Sequence, residues 1–232
     1  RLKLTEAPIF IAALNKPKPK TLPMMEVIVT HFKPFFLGML ICIAGYVLFY
    51  IMIAFSQIYA KSAPTVSEAG YAMGLGFSPQ IFTALLMCSA ISLAITIAIS
   101  GKYIDIVGRR IWLIWTTFGV AIFGLALPYF LDNGTTTSLF WFLIIGMGLI
   151  GMGYGPLASF LPELFPTHAR YSGASLTYNI AGLFGASVAA IIALPLNANY
   201  GLKGVGIYLT LNAVLSLIGL WFITETRDRQ LL

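Results

Sequence analysis

The stretch "ISGKYIDIVGRRIW", residues 99–112, places Lys102, Asp105, Arg109 and Arg110 in one short segment of a chain that carries little charge elsewhere. The apolar runs on both sides hold no charged residue and are long enough to cross the hydrocarbon core of a bilayer, about 30 Å thick. The stretch therefore predicts a polar, turn-rich connection between two membrane-spanning helices.

The composition agrees with a membrane protein. Hydrophobic residues make up 59% of the 232 residues, charged residues 9%, and the mean hydropathy is +0.89. A soluble domain carries about 25% charged residues, so this chain could not cover its surface with polar groups. The net charge of +6 is interpreted as basic loops beside a lipid bilayer rather than a nucleic-acid surface. Cys42 and Cys88 have no metal-binding or redox spacing, and we expect no metal and no cofactor.

Long apolar runs decide the fold class. A helix needs about 20 apolar residues to cross the bilayer, and the runs lack the alternation of strands. The fold prediction is all-α, an integral membrane bundle of six helices, preceded by a lead-in (1–34) and followed by a tail (224–232). The predicted spans are 35–57, 80–100, 111–131, 139–161, 173–194 and 204–223.

Basic residues predict the orientation. Lys61 and Lys203 lie in connections on one predicted side, whereas twelve basic residues lie on the other. By the positive-inside rule, the twelve face the cytoplasm, so both ends of the chain are predicted to be cytoplasmic and the protein to lie in the plasma membrane. The twelve are Arg1, Lys3, Lys16, Lys18, Lys20, Lys33, Lys102, Arg109, Arg110, Arg170, Arg227 and Arg229.

Two other patterns carry little functional weight. The glycines of "GMGLIG", 146–151, match a dinucleotide-binding spacing but lie inside an apolar span, where close helix packing is the better interpretation. His31 lies outside the predicted spans and is interpreted as a lead-in residue rather than a proton relay. The chain lacks the motifs of an intramembrane hydrolase, so no enzyme is predicted.

The opening stretch has the pattern G-x-x-x-D-x-x-G-R-R, from Gly101 to Arg110. Glycine permits a tight turn where two helices approach closely. Asp105 can face the positive end of a neighbouring helix, and Arg109 lies within reach of it. The alternative is an ordinary cytoplasmic turn whose charges only fix the topology. That alternative explains the arginines but not the glycine spacing.

This pattern resembles the signature of the major facilitator superfamily, which connects the second and third helices of each six-helix half. "YGPLASFLPELFPTHARYSGASLTYNIAGLFGAS", residues 154–187, is similar to the metabolite–proton symporter branch, which includes shikimate, α-ketoglutarate and proline/betaine transporters. The family's usual basic residues are replaced here by Ile106 and Ile111. The resemblance implies the C-terminal half, helices seven to twelve, of a twelve-helix secondary transporter. Its expected partners are the missing N-terminal half, a small polar metabolite, and protons.

The resemblance also implies a cytoplasmic gate. Charges at the mouth of the bundle tie helices together when the cavity faces outward, and separate when it opens inward. Glu163 and Arg170 can pair across a short loop, and Glu225 is a further candidate. The gate residues are Gly101, Asp105, Gly108, Arg109, Arg110, Glu163 and Arg170.

Uncharged polar residues within the spans are the candidates for contacting substrate, because a buried Asn or Tyr needs hydrogen-bond partners. We weigh cavity lining against helix packing for each of them, and favour packing for Asn212. The spans hold no charged residue, so a proton-carrying carboxylate is expected elsewhere, or the protein is not a proton symporter. The cavity candidates are Tyr46, Tyr50, Tyr154, Tyr178, Asn179 and Ser175.

Alternative interpretations stay open at the level of the sequence. A non-transporting six-helix membrane protein, or a truncated product that folds but is inactive, would share the same spans. A channel would line one continuous helical face with polar residues, and no predicted span does so. The non-Met start at Arg1 leaves open whether the chain is an excerpt.

Overall fold

A computed structural model of the chain describes residues 23–225 as a helical bundle. Residues 1–22 of the predicted lead-in and residues 226–232 of the predicted tail, which include Arg227 and Arg229, lie outside the described residues. The helices are α1 (Pro23–Thr30), α2 (Phe32–Tyr50), α3 (Ser56–Lys61), α4 (Pro79–Val107), α5 (Arg109–Leu131), α6 (Thr136–Glu163), α7 (Arg170–Gly182) and α8 (Val188–Phe222). Two π-helical turns, Ile51–Phe55 and Leu183–Ser187, join α2 to α3 and α7 to α8 without a break.

Five continuous helical stretches in the described part are long and apolar enough to cross a membrane. The fifth, Arg170–Phe222, has 53 residues, about 80 Å at 1.5 Å per residue and far more than one crossing needs. It breaks at Gly201, where φ is 66° and ψ is −170°. The break lies between the predicted spans 173–194 and 204–223, so the stretch accommodates both. The predicted all-helical fold with helices that can span a membrane is confirmed for the described residues.

The helix starts follow local chemistry. Ser78 caps α4 by accepting a hydrogen bond from the Ile81 N–H at 3.3 Å, and Pro79 follows as the first helical residue. Thr135 caps α6 by accepting from the Ser138 N–H at 3.2 Å. Both caps satisfy backbone donors that a first helical turn leaves without a partner.

The predicted turn-rich connection is wrong. The sequence predicted a turn-rich connection from Gly101 onward, but α4 continues to Val107 and α5 begins at Arg109, so Gly108 is the whole connection. The physical reason is that charges end a membrane span without ending a helix. Residues 102–107 contain neither glycine nor proline, and nothing local stops the helix there.

The core lies between α2, α5, α6 and α8. Phe123 of α5 and Phe142 of α6 stack with ring centroids 5.3 Å apart, and Phe55 and Leu209 are fully buried in the same cluster. A polar link crosses this region, because the Ser216 hydroxyl donates to the Leu40 carbonyl at 2.6 Å. The same oxygen accepts from the Ala44 N–H at 3.1 Å. These contacts fix α8 against α2.

Glycines bring α4 and α6 together. A Cβ atom at Gly151 would lie 2.6 Å from the Leu93 carbonyl oxygen, and one at Gly148 would lie 3.1 Å from the Ser92 hydroxyl. Ser92 donates to the Ile144 carbonyl across this contact at 3.0 Å. The glycines of the "GMGLIG" stretch therefore serve close helix packing, as the sequence predicted.

Candidate functional site

The charged stretch of the sequence forms a junction at one end of the bundle, which we call the charged end (Asp105, Arg109, Arg110, Glu163 and Glu225). Gly108 separates α4 from α5 with φ of 99°, a conformation that residues with a side chain rarely adopt. The Glu225 carboxylate, beyond the end of α8, accepts hydrogen bonds from the backbone N–H groups of Arg109 at 3.2 Å and Arg110 at 3.1 Å. A Cβ at Gly108 would lie 2.9 Å from Glu225 Oε2, so glycine also makes room for the carboxylate.

Arg110 completes the junction in the opposite direction. Its Nε donates to the Leu220 carbonyl at 2.8 Å, and one terminal nitrogen donates to the Trp221 carbonyl at 3.0 Å. These carbonyls lie in the last turn of α8, which carries partial negative charge. Each helix thus supplies the charge that caps the other: Glu225 at the start of α5, Arg110 at the end of α8.

Arg109 forms the ion pair that connects α5 to α6. Its guanidinium contacts the Glu163 carboxylate, and both side chains are largely buried, at 16% and 14% exposure. Asp105 lies farther from the same guanidinium, 3.7 Å between Arg109 Nη2 and Asp105 Oδ1, with its side chain 73% exposed. The pair to Glu163 is therefore the stronger link, because solvent screens it less.

Two expectations about this motif need correction. The carboxylate at a helix N-terminus is that of Glu225 rather than Asp105, because Asp105 is on the last turn of α4 and faces solvent. Gly101 does not mark a close helix approach, since a Cβ there would meet nothing within 4 Å. It lies inside α4 as an exposed residue. Of the two glycines, Gly108 is the one that the geometry requires.

A cavity of about 590 Å³ opens beside the charged end. Arg170, the first residue of α7, is the one charged residue among the lining residues that the structure describes. Its Nε atom is buried and has no hydrogen-bond partner among the described residues. Tyr154, Tyr178 and Ser175 also line this cavity. One cationic residue and several hydroxyl-bearing residues therefore line a cavity whose wall is otherwise mostly apolar.

A second cavity, about 260 Å³, continues toward the middle of the bundle and shares Tyr154 and Tyr178 with the first. Tyr46 lines it, with its ring centroid 4.9 Å from that of Tyr178. Thr116 and Thr117 also line it, and the sequence reasoning missed both. Both threonines line the same cavity as the tyrosines because of how α5 packs against the other helices, which spacing along the sequence does not indicate.

The remaining cavity candidates line neither cavity. Tyr50 lines neither of these two cavities. Its hydroxyl faces the Ala190 carbonyl at 3.4 Å, so it is a helix-packing residue. Asn179 is exposed and donates to the Ser175 carbonyl at 2.8 Å, one turn earlier on α7. Asn212 makes the equivalent bond to the Tyr208 carbonyl at 2.8 Å.

Comparison with known proteins identifies the family. The profile of the family described as "Sugar (and other) transporter" matches residues 63–232. The chain belongs to this transporter family. It is a member of the major facilitator superfamily, as the motif at Gly101–Arg110 predicted. No solved structure matches the chain.

Proteins similar to this chain are named as transport proteins. The chain is 90% identical over 231 residues to a metabolite transport protein of Haemophilus influenzae, covering 100% of the chain and 52% of the relative. It is 37% identical over 232 residues to the inner membrane metabolite transport protein YhjE of Escherichia coli, covering 100% and 51%. A proline/betaine transporter of Salmonella typhimurium is 30% identical over 135 residues, 57% of the chain and 27% of the relative. The chain spans about half the length of the first two relatives.

Proposed function

We propose that this chain is the C-terminal half of a secondary active transporter of the bacterial inner membrane. The whole protein moves a small polar metabolite, a carboxylate or a zwitterion, together with protons. It works by alternating access, with substrate held between two six-helix halves. The observation that carries the proposal is the position of Arg170, which lines a cavity together with Tyr154 and Tyr178 and whose Nε atom is buried without a hydrogen-bond partner among the described residues.

In this proposal the charged end is the cytoplasmic gate. The Arg109–Glu163 pair joins α5 to α6, and the mutual caps of Glu225 and Arg110 join α5 to α8. These contacts hold the cytoplasmic mouth closed when the cavity faces outward. Opening inward separates them, so their strength sets the balance between the two states. Relatives named as metabolite and proline/betaine transporters support the substrate class.

The test is uptake by the intact protein that carries this sequence, reconstituted in vesicles and offered labelled carboxylates and zwitterions with and without an inward proton gradient. Arg170→Ala is expected to raise KM by at least ~10-fold, because a charge-assisted hydrogen bond contributes about 1.5–3 kcal/mol. Lys102→Ala is the matched control, since Lys102 is an exposed cation that lines neither cavity.

Three results would contradict parts of the proposal. Absence of uptake for every candidate would favour a non-transporting membrane protein. Uptake that does not respond to the proton gradient would remove the coupling. If Asp105→Ala and Arg109→Ala both leave uptake intact, the charged end has no gating role and serves only to fix the topology.

A further inference from the structure

Both histidines of the chain meet at one carboxylate. The sequence contains two histidines, His31 and His168, which lie at the α1–α2 junction and in the turn between α6 and α7. Glu26 Oε1 lies 2.6 Å from Nε2 of His168 and 3.9 Å from Nε2 of His31. One potential ligand atom from each of the three residues lies within 4.8 Å of the other two.

The second oxygen of the same carboxylate lacks a partner in the described part of the chain. Glu26 Oε2 is buried and has no hydrogen-bond partner among the described residues, and the Glu26 side chain is 17% exposed. Burying a carboxylate oxygen without a partner is costly, and such a group in a folded protein needs a physical reason. A bound cation supplies that reason, because it would neutralise the carboxylate that faces both imidazoles.

The surrounding fold holds the three residues in place. Val27, next to Glu26, is fully buried in an apolar cluster with Leu164, Phe165 and Ala169. This anchors α1 against the turn that carries His168. The backbone of His31 is held on both sides, because its N–H donates to the Val27 carbonyl and its carbonyl accepts from the Phe35 N–H, each at 3.1 Å.

We propose that Glu26, His31 and His168 form a binding site for a divalent transition-metal ion such as Zn²⁺. Two imidazoles and one carboxylate leave a fourth position of a tetrahedral ion for water. Imidazole favours Zn²⁺ over Mg²⁺ and Ca²⁺, which prefer oxygen ligands. Bond lengths of about 2.0–2.2 Å at tetrahedral angles place ligand atoms about 3.3–3.6 Å apart. The two distances to Glu26, 2.6 Å and 3.9 Å, lie on either side of that separation.

Only small side-chain movements separate this arrangement from a coordinated one. His168 is 52% exposed and lies in a turn, so its ring can move away from the carboxylate as the ion enters. The hydrogen now shared between His168 Nε2 and Glu26 Oε1 leaves as a proton, because a metal-bound imidazole nitrogen must be deprotonated. The bound ion then connects α1 to the α6–α7 turn. This proposal is independent of the proposed transport function, because the experiment that tests it measures metal binding rather than uptake.

The test uses the intact protein, purified in detergent through a tag without histidine and stripped with a chelator. Zn²⁺ is titrated by calorimetry, and Co²⁺ absorption reports the coordination geometry. We expect one saturable Zn²⁺ per chain and an intense visible Co²⁺ spectrum typical of four-coordinate sites. Glu26→Gln, His31→Ala and His168→Ala are each expected to weaken Zn²⁺ binding by about 100-fold or more, beyond the 10–100-fold of a lost supporting residue.

Glu68→Gln is the matched control, since it removes an exposed carboxylate from the 62–78 loop and is expected to leave Zn²⁺ affinity unchanged. The Co²⁺ spectrum of the unsubstituted protein keeps the test valid if a variant fails to fold. The proposal is overturned if the unsubstituted protein binds no Zn²⁺ saturably. It is also overturned if Glu26→Gln retains the affinity, because the carboxylate is then not a ligand.

Discussion

Gly108 and Gly101 form a natural pair for testing what the motif requires. Gly108 has φ of 99° and ψ of 141°, and strained backbone of this kind costs about 1–3 kcal/mol for a residue with a side chain. A Cβ there would also press on Glu225 Oε2 at 2.9 Å. Gly108→Ala is therefore expected to lower the unfolding free energy by about 1–3 kcal/mol or more, measured by chemical unfolding in detergent.

Gly101→Ala is the control from the same motif. Gly101 lies inside α4 with open space around it, and alanine is more favourable than glycine in a helix by about 0.5–1 kcal/mol. The control variant is expected to be as stable as the unsubstituted protein or slightly more so. Equal losses in both variants would contradict the assignment of the strain to Gly108.

Arg109 should matter far more for stability than Asp105. Arg109→Ala removes the guanidinium from beside Glu163, whose side chain is 14% exposed, and breaking a buried pair costs about 3–5 kcal/mol. Asp105 is 73% exposed, and exposed pairs contribute about 0.2–1 kcal/mol. Unfolding free energies of the two variants test this order. The exchange Arg109→Glu with Glu163→Arg should recover part of the loss, and similar losses for Asp105→Ala and Arg109→Ala would contradict it.

At the residue scale, the sequence predicts which residue types matter better than which partners they find. The pattern singled out Arg109 and Glu163, and the structure brings these two together. It assigned the helix-capping role to Asp105, whereas the capping carboxylate is Glu225, 116 residues after Arg109. Spacing along one helix could not reveal a contact made from another. Tyr46 and Tyr50 illustrate the same limit. They lie one turn apart on α2, but only the packing of the helices shows that Tyr46 lines the second cavity and Tyr50 does not.

At the scale of elements, α5 and α8 depend on each other's ends. Glu225→Gln keeps one acceptor but loses the charge at the start of α5, and Arg110→Ala removes the donors at the end of α8. Because loss of a cap costs about 0.5–2 kcal/mol, each variant is expected to lower the unfolding free energy by that order. A double-mutant cycle should give a coupling of about 0.5 kcal/mol or more. Strictly additive losses would mean that the two caps are independent.

The close contact between α4 and α6 predicts that two glycines of α6 differ in how well they tolerate substitution by alanine. Gly151→Ala places a Cβ 2.6 Å from the Leu93 carbonyl oxygen, whereas Gly153→Ala places one 3.7 Å from Cγ2 of Thr116, an ordinary van der Waals distance. Overpacking costs about 1–3 kcal/mol, so Gly151→Ala is expected to lower the melting temperature in detergent. Gly153→Ala is expected to leave it unchanged, and a comparable decrease would place the sensitivity elsewhere in α6.

Element boundaries show why hydropathy alone misplaces helix ends. The apolar runs predicted the existence of the helices, because burial in lipid or in a helical core demands long apolar stretches. They did not predict that α4 would continue through Lys102 and Asp105 to Val107, since a helix can extend beyond the bilayer. The break at Gly201 is also local, because its φ of 66° is what interrupts a 53-residue helical stretch.

For the molecule as a whole, α4 is the least buried of the described helical stretches that could cross a membrane. Within the apolar window of α4, 11% of residues are buried, against 56% for the stretch Phe32–Lys61. Lipid or a second six-helix half can cover such an apolar surface. This is consistent with a chain that spans about half the length of its relatives.

The orientation of the helices in the membrane can be tested at the two ends of α4. Glu68 in the 62–78 loop and Lys102 near the far end of α4 are both exposed, and the 29 residues of α4 extend about 43 Å, enough to separate them by a bilayer. In a background with Cys42→Ala and Cys88→Ala, we expect an impermeant maleimide to label Glu68→Cys in intact cells. Lys102→Cys should be labelled only after the membrane is permeabilised, because the positive-inside rule predicts a cytoplasmic position for the charged end. Labelling of both in intact cells would contradict the predicted span. Labelling of Lys102→Cys alone would reverse the predicted orientation and contradict the proposed cytoplasmic gate.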